Sequence, residues 1–213
     1  MKFAFCSEDR SDDELLRAFA ERVLGESVEA LPTNFALGRS GGWHDALKLA
    51  SSIARAVFRT EAHGAVFVVD NDGAPLHESG HEQAPSSACR LCALRLAAAV
   101  KEVSSWPRQG LPPLQFVFAV PVQVLETWLL LADARFPRNR QPHAFGTNAQ
   151  ERRELKRILY GDERATRDQR LAIGLPIARR FDVAAVSAAS ASLADFGHQL
   201  RAARDAVRLA TDT

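Results

Sequence analysis

Ala65-Val66-Phe67-Val68-Val69-Asp70-Asn71-Asp72-Gly73 carries five apolar positions without alternation into two carboxylates one residue apart. An apolar run of this kind suits a strand covered on both faces, as in a parallel sheet with helices above and below it. In such sheets ligands sit at the carboxyl ends of strands, which is where Asp70 and Asp72 emerge. Side chains two apart on an extended segment point the same way. Both carboxylates can therefore meet one hard cation such as Mg²⁺, which takes oxygen ligands and keeps several waters. Asp, Asn and Gly also favour turns with or without a metal, and that reading competes.

Two further acidic segments stand after apolar runs. Lys2-Phe3-Ala4-Phe5-Cys6 reads as a first strand, followed by Ser7-Glu8-Asp9-Arg10-Ser11-Asp12-Asp13. A helix with Leu15, Leu16, Phe19, Val23 and Leu24 comes next, with Ser11 or Asp12 as its cap. Glu8 then stands at the carboxyl end of the first strand. If that strand lies beside the one ending in Asp70, three carboxylates converge, and mutual repulsion makes a divalent cation their natural partner. Asp9, Asp12 and Asp13 serve equally well as acids complementing a helix N-terminus. The third segment, Pro121-Val122-Gln123-Val124-Leu125-Glu126-Thr127-Trp128-Leu129-Leu130-Leu131-Ala132-Asp133, follows the apolar strand 114–120. Pro121 can open a helix whose core stripe is Leu125, Trp128, Leu129 and Ala132, with Glu126 in the first turn and Asp133 two turns on. An acid in so apolar a helix needs a partner or serves a site, because burying it unpaired is expensive. A helix-dipole Glu paired with an Arg is the competing account.

The order of elements alternates. Strands are expected near 2–7, 27–32, 65–70 and 114–120, with helices near 12–24, 43–58, 87–104 and 122–133. Repeated strand-then-helix argues for an α/β parallel sheet. Residues 135–150, with Pro137, Pro142 and Gly146, read as an exposed loop. Helices are expected again at 151–160 and 193–210, the Ala/Ser-rich 184–192 leading into the latter. The organisation is thus a core over 1–134 and a C-terminal loop and helical extension over 135–213, packed on that core as one structural domain.

A strand leading to Glu8 with Asp12 four residues on, a strand ending Asp70-Asn71-Asp72-Gly73, and the segment PVQVLETWLLLAD over 121–133 together resemble the TOPRIM-like nuclease-related proteins. The likeness is closest to the small RloB-type and related bacterial TOPRIM-like families of mobile-element and phage-defence loci. It covers about the first two thirds of the chain, and weakly the tail 190–196. The chain departs from the pattern where many TOPRIM proteins carry Gly directly after the first Glu; here Asp9 follows Glu8. The resemblance implies a three-layer, TOPRIM-like (Rossmann-like) parallel sheet flanked by helices. It also implies nuclease activity in defence against mobile DNA, without selecting DNA, RNA or transfer RNA as the target.

Composition is compatible with that. The 213 residues are 46% hydrophobic and can bury one sizeable core. A formal net charge of +1 leaves no global nucleic-acid footprint, so any polyanion contact must come from local patches. No apolar run is long enough to span a membrane, and the start MKFAFCSEDR turns acidic at once, which points to a cytoplasmic protein. Three cysteines read as reduced thiols rather than a disulfide framework.

Three features lie outside the acidic set. Gly38-Arg39-Ser40-Gly41-Gly42-Trp43 precedes a helix, where backbone amides and Arg39 could cradle a phosphate, although it matches no Walker loop and a plain turn fits as well. His77, His81, Cys89 and Cys92 form an HxxxH followed by a CxxC, four ligands of types that Zn²⁺ accepts, able to act as a structural clip. The two thiols could instead be packed at the start of an Ala/Leu-rich helix. Basic residues Arg135, Arg138 and Arg140, then Arg152, Arg153, Lys156 and Arg157, could hold a nucleic-acid backbone or form only a solvated face.

The mechanism these residues suggest is metal-assisted phosphodiester hydrolysis. One or two Mg²⁺ (or Mn²⁺) ions would be held by Glu8, Asp70 and Asp72, with Glu126 and Asp12 as outer or second-metal ligands and Glu8 moving the proton. Arg39, Arg138, Arg140, Arg153 and Lys156 would hold the nucleic acid. Two alternatives remain. One is a Mg²⁺-binding regulatory or signalling module resembling a receiver domain. The other is a TOPRIM-like subunit serving a separate ATPase, since the chain has no ATP-binding loop of its own.

Overall fold

The computed structural model describes residues 1–7, 10–31, 42–77, 89–98, 100–121, 124–136 and 149–211. Four parallel strands, β1 (Lys2–Cys6), β2 (Glu29–Ala30), β3 (Gly64–Val68) and β4 (Gln115–Ala119), form one sheet in the order β2-β1-β3-β4. β1 lies directly beside β3, with Phe3 opposite Gly64 and Cys6 opposite Phe67. β3 lies beside β4 from Gly64–Gln115 to Val68–Ala119. The unalternating apolar run of the central strand is explained by its cover, for every residue of β3 is buried. The ladder outlasts the strands, since Val69 N donates to Ala119 O at 3.2 Å and Asn71 N to Pro121 O at 3.2 Å.

Period-two side chains split the sheet into two apolar layers. On one face Phe3, Phe5, Val66, Val68, Val117 and Ala119 meet α1 (Arg10–Leu24), α5 (Leu125–Ala132), α6 (Ala149–Tyr160), α7 (Arg167–Arg180), α8 (Val183–Ala189) and α9 (Ala191–Thr211). On the other, Ala4, Cys6, Ala65, Phe67, Val69 and Phe118 meet α2 (Gly42–Phe58), α3 (Arg90–Ala97) and α4 (Val100–Ser104). Trp128 of α5 anchors the larger layer. It is fully buried, stacks on Phe196 with centroids 5.4 Å apart, and donates its indole N–H to Ser192 Oγ at 2.9 Å.

Three elements differ from the sequence expectation. The helix expected over 87–104 is two helices, α3 and α4; residues 87–88 and 99 lie outside the described set. α5 begins at Leu125 after an extended Val124 (φ −148°, ψ 162°), not at 122, so it opens three residues later than Pro121 suggested. No helix is expected over 167–180, yet these residues form α7, and 183–189 form a separate α8 before α9. α7 starts on a capping box in which Thr166 Oγ1 accepts from Gln169 N and Gln169 Oε1 accepts from Thr166 N. It packs on α1, and a Cβ at Gly174 would come within 2.7 Å of Leu15 Cδ2, so the missing side chain sets that close approach.

Candidate functional site

The chain leaves β3 through a tight turn. Ala74 N donates to Asn71 O at 2.8 Å, and Asp72 (φ 44°) and Gly73 (φ 78°) both take the left-handed conformation that Gly and Asp tolerate best. Asn71 is buried and donates Nδ2–H to Ala74 O at 2.6 Å. The turn reading of Asp70–Gly73 is therefore realised, and it determines where the two acids face. The assigned strand ends at Val68 but the ladder bonds run on to Asn71, and it is Asp72, with its positive φ, that takes the chain out of the extended conformation. Asp70 Oδ1 accepts from Leu125 N at 3.1 Å, satisfying an amide at the start of α5 that Val124 has no side chain to cap. Asp72 is paired with Arg90 Nη1 at 3.2 Å and Arg152 Nε at 3.4 Å. Arg90 Nη1 also donates to the Asp70 carbonyl oxygen.

Glu126, in the first turn of α5, is buried, and Lys156 Nζ lies 3.8 Å from its Oε1. Asp12, in the first turn of α1, faces Arg170 Nη1 at 3.8 Å. Tyr160 connects these acids. Burial pushes its hydroxyl far above the ordinary tyrosine range, and the nearby charges of Glu126, Asp12 and Asp70 add to the rise while Arg170 opposes it. Its proton is consequently held at every physiological pH. Asp12, Asp70 and Glu126, which together span more than a hundred residues of the chain, thus share one electrostatic neighbourhood at the carboxyl end of the sheet, with Arg170 and Lys156 beside them and the Asp72–Arg90–Arg152 pairs at its border.

Of the residues expected here, Glu8, Arg39, His81, Arg138 and Arg140 lie outside the described residues. Lys156 reaches the acids; Arg153 does not, its Nε bonding back to Ala149 O at 3.2 Å on its own helix. Asp133, expected on the Glu126 face, ends α5 and is held by Arg135 at 2.7 Å. The Arg135 hydrogen bonds outweigh burial there and keep its carboxyl below the usual range. Sequence reasoning did not single out Arg90, Arg170 or Tyr160. A signal for one of them was present, since Arg152, Lys156 and Tyr160 recur at intervals of four along α6 and so share a face.

A second cluster adjoins the turn. His77 Nδ1 lies 3.4 Å from Cys89 Sγ and 3.5 Å from Cys92 Sγ, and the three ligand atoms all fall within 4.8 Å of one another. Among the described residues this is the one group of three His, Cys, Asp or Glu ligand atoms gathered so closely, and it could bind a metal ion. Cys89 caps α3, its Sγ accepting from Cys92 N at 3.5 Å. None of the three cysteines is in a disulfide. Cys6 is a core thiol whose ionisation burial strongly disfavours, with Asp13 adding to the effect. Beside the cluster lies a cavity of about 300 Å³ walled by Asn71, Leu76, His77, Cys89, Val120 and Asp195.

No helix among the described residues is long and apolar enough to cross a membrane. No family model, no curated protein and no solved structure matches the chain.

Proposed function

We propose that this protein is a TOPRIM-like, divalent-metal-dependent phosphodiester hydrolase acting on nucleic acid, in keeping with a role in defence against phage and other mobile elements. The observation that supports the reading is that Asp12, Asp70 and Glu126, from three different parts of the chain, all act electrostatically on the Tyr160 hydroxyl at the carboxyl end of a parallel sheet. Strand ends of such sheets are where ligands bind. The donor set is made of carboxylate oxygens, which suit Mg²⁺ or Mn²⁺. Asp70 and Asp72, with Glu8 beyond the end of β1, would hold the ion, and Glu126 and Asp12 would stand behind them. Bound there, the metal would supply a more acidic water and offset charge on the phosphodiester.

The chain's own residues do the rest. Arg152, Lys156 and Arg170 reach the carboxylates and would take phosphate oxygens, Arg as a fork and Lys as a point charge. Tyr160, protonated throughout, is a hydrogen-bond donor and not a base. Any coupling to ATP hydrolysis would come from a separate protein.

A second reading, a Mg²⁺-binding module without hydrolysis, is favoured by one observation: Asp72 and Glu126 already have cationic partners. The same experiment separates the two. Labelled plasmid, single-stranded DNA and total RNA are incubated with the protein and Mg²⁺ or Mn²⁺, beside Asp70→Asn and Glu126→Gln. Asp70→Asn keeps an acceptor for Leu125 N–H while removing the charge. Metal-dependent cleavage lost in both variants supports hydrolysis. Thermal stabilisation by Mg²⁺ without cleavage supports the module, because a ligand that prefers the folded state must stabilise it. Cleavage surviving in both variants removes the site.

A further inference from the structure

We propose that His77, Cys89 and Cys92 hold a zinc ion that pins the turn after β3 to the N-terminus of α3. Zinc–sulfur and zinc–nitrogen bonds of about 2.3 and 2.05 Å at a tetrahedral angle put the two donor atoms about 3.5 Å apart. The two sulfur–nitrogen separations in the cluster are 3.4 and 3.5 Å. Both sulfurs approach the same nitrogen, Nδ1, as they must if a single ion takes all three donors. A CxxC that only shuttles between dithiol and disulfide has no need of an imidazole nitrogen equidistant from its two sulfurs.

The surroundings of the sulfurs fit a thiolate pair. Cys89 is the N-cap of an eight-residue helix, where the positive end of the backbone dipole favours an anion, and its Sγ accepts the amide N–H of Cys92. Backbone hydrogen bonds of this kind orient metal-bound thiolates. Three protein donors leave one coordination position for water or another ligand, as in open zinc sites.

The clip has a mechanical consequence. Arg90 lies between the two cysteines in sequence and reaches back to the Asp70 carbonyl oxygen and to Asp72 Oδ2 while its guanidinium lies over Trp43, 5.0 Å from the ring centroid. Fixing Cys89 and Cys92 to His77 therefore fixes Arg90 against the acidic turn. The proposal does not depend on hydrolysis at that turn.

The test uses the full-length chain purified under reducing conditions. Elemental analysis is expected to give about one zinc per chain, and Co²⁺ added after zinc removal is expected to give a thiolate-to-cobalt charge-transfer band in the near ultraviolet. Cys92→Ser and His77→Ala should each lower the affinity for the cobalt that gives this band at least about tenfold. Circular dichroism establishes that the variants fold, and the wild-type cobalt spectrum stands without them. Absence of the band in the wild-type protein overturns the proposal, as does undiminished binding in both ligand variants. Purification of a zinc-free Cys89–Cys92 disulfide that Co²⁺ cannot enter after reduction would likewise overturn it.

Discussion

His63 shows how one side chain ties stability to pH. Its Nδ1 accepts the backbone N–H of Lys2 at 2.9 Å, a bond that protonation of Nδ1 would destroy. Burial, first, and then the positive N-terminus, Arg108 and Lys2 depress its pKa below the ordinary 6.5, with Glu61 opposing. Between that depressed value and 6.5 the unfolded chain binds the extra proton and the folded chain does not, so stability rises with pH across the window. The contribution is complete above about 6.5 and is lost as pH falls toward the folded value. Thermal melts of the wild type and His63→Gln from neutral to mildly acidic pH check this. The wild type is expected to lose Tm more steeply, and parallel curves would refute the assignment. Next along the chain, Gly64 is constrained by space. A Cβ there would stand 2.6 Å from the Phe3 ring and 2.7 Å from the Gln115 carbonyl oxygen, and the second obstacle is backbone that cannot swing aside. Gly64→Ala is expected to cost about 1–3 kcal/mol, read as a lower urea midpoint at unchanged slope. At this scale the acids of the site were legible because carboxylates after apolar runs are unusual. Their cationic partners were not, for nothing local distinguishes Arg152, which reaches Asp72, from its neighbour Arg153, which does not. Only the phase of α6 decides between them.

At the scale of elements, β1, β3 and β4 were readable from continuous apolar runs, while the two-residue β2 is shorter than the strand expected over 27–32 and α7 was hidden. Its sequence carries Gly174 and Pro176 in mid-helix, both of which weaken a helical reading. Gly174 lets α7 approach the Leu15 side chain of α1 closely, and the capping box at Thr166 offsets part of the loss. Both reasons are tertiary or depend on an exact start, so local propensity pointed the wrong way. A second tertiary device protects the sheet. Among the described residues β4 is an edge strand, and Gln199 of α9 bonds its outer side: its Oε1 accepts from Phe118 N at 2.9 Å and its Nε2 donates to Phe118 O at 3.1 Å. Asp195 Oδ2 holds the same amide at 2.7 Å. Gln199→Leu keeps the bulk but strands a backbone donor and acceptor. The expected loss is about 1–3 kcal/mol, with self-association at high concentration because the edge is no longer satisfied. Urea unfolding and sedimentation velocity measure the two effects. An unchanged midpoint would mean that water replaces the carboxamide without cost.

Across the whole molecule the sheet separates two unequal layers. One carries α1 and α5–α9 around Trp128, Phe19 and Phe196; the other is α2 with two short helices, the eight-residue α3 and five-residue α4. Helices shorter than about 12–15 residues are marginal by themselves, so α3 and α4 persist only through their packing on β3, β4 and α2. The larger layer is also tied at distant points, by Arg22 Nε to Phe181 O at 2.9 Å and by Arg208 to Glu26 at 2.6 Å. Local opening draws on the least packed elements first, and each element's amide exchange reports its own opening free energy. Amides of α3 and α4 are therefore expected to exchange before those of α1 and α9, with β3, covered on both faces, slowest of all. Mass-spectrometric hydrogen exchange under native conditions resolves these segments directly. Uniform protection across both layers would show that the molecule opens only as a unit, and the His77–Cys89–Cys92 clip would then have no loose helix to restrain. If α3 exchanges early, chelation should speed α3 and the turn at Asp72 while leaving α1 and α9 untouched, because the zinc ligands lie wholly in the thinner layer and the loop that borders it.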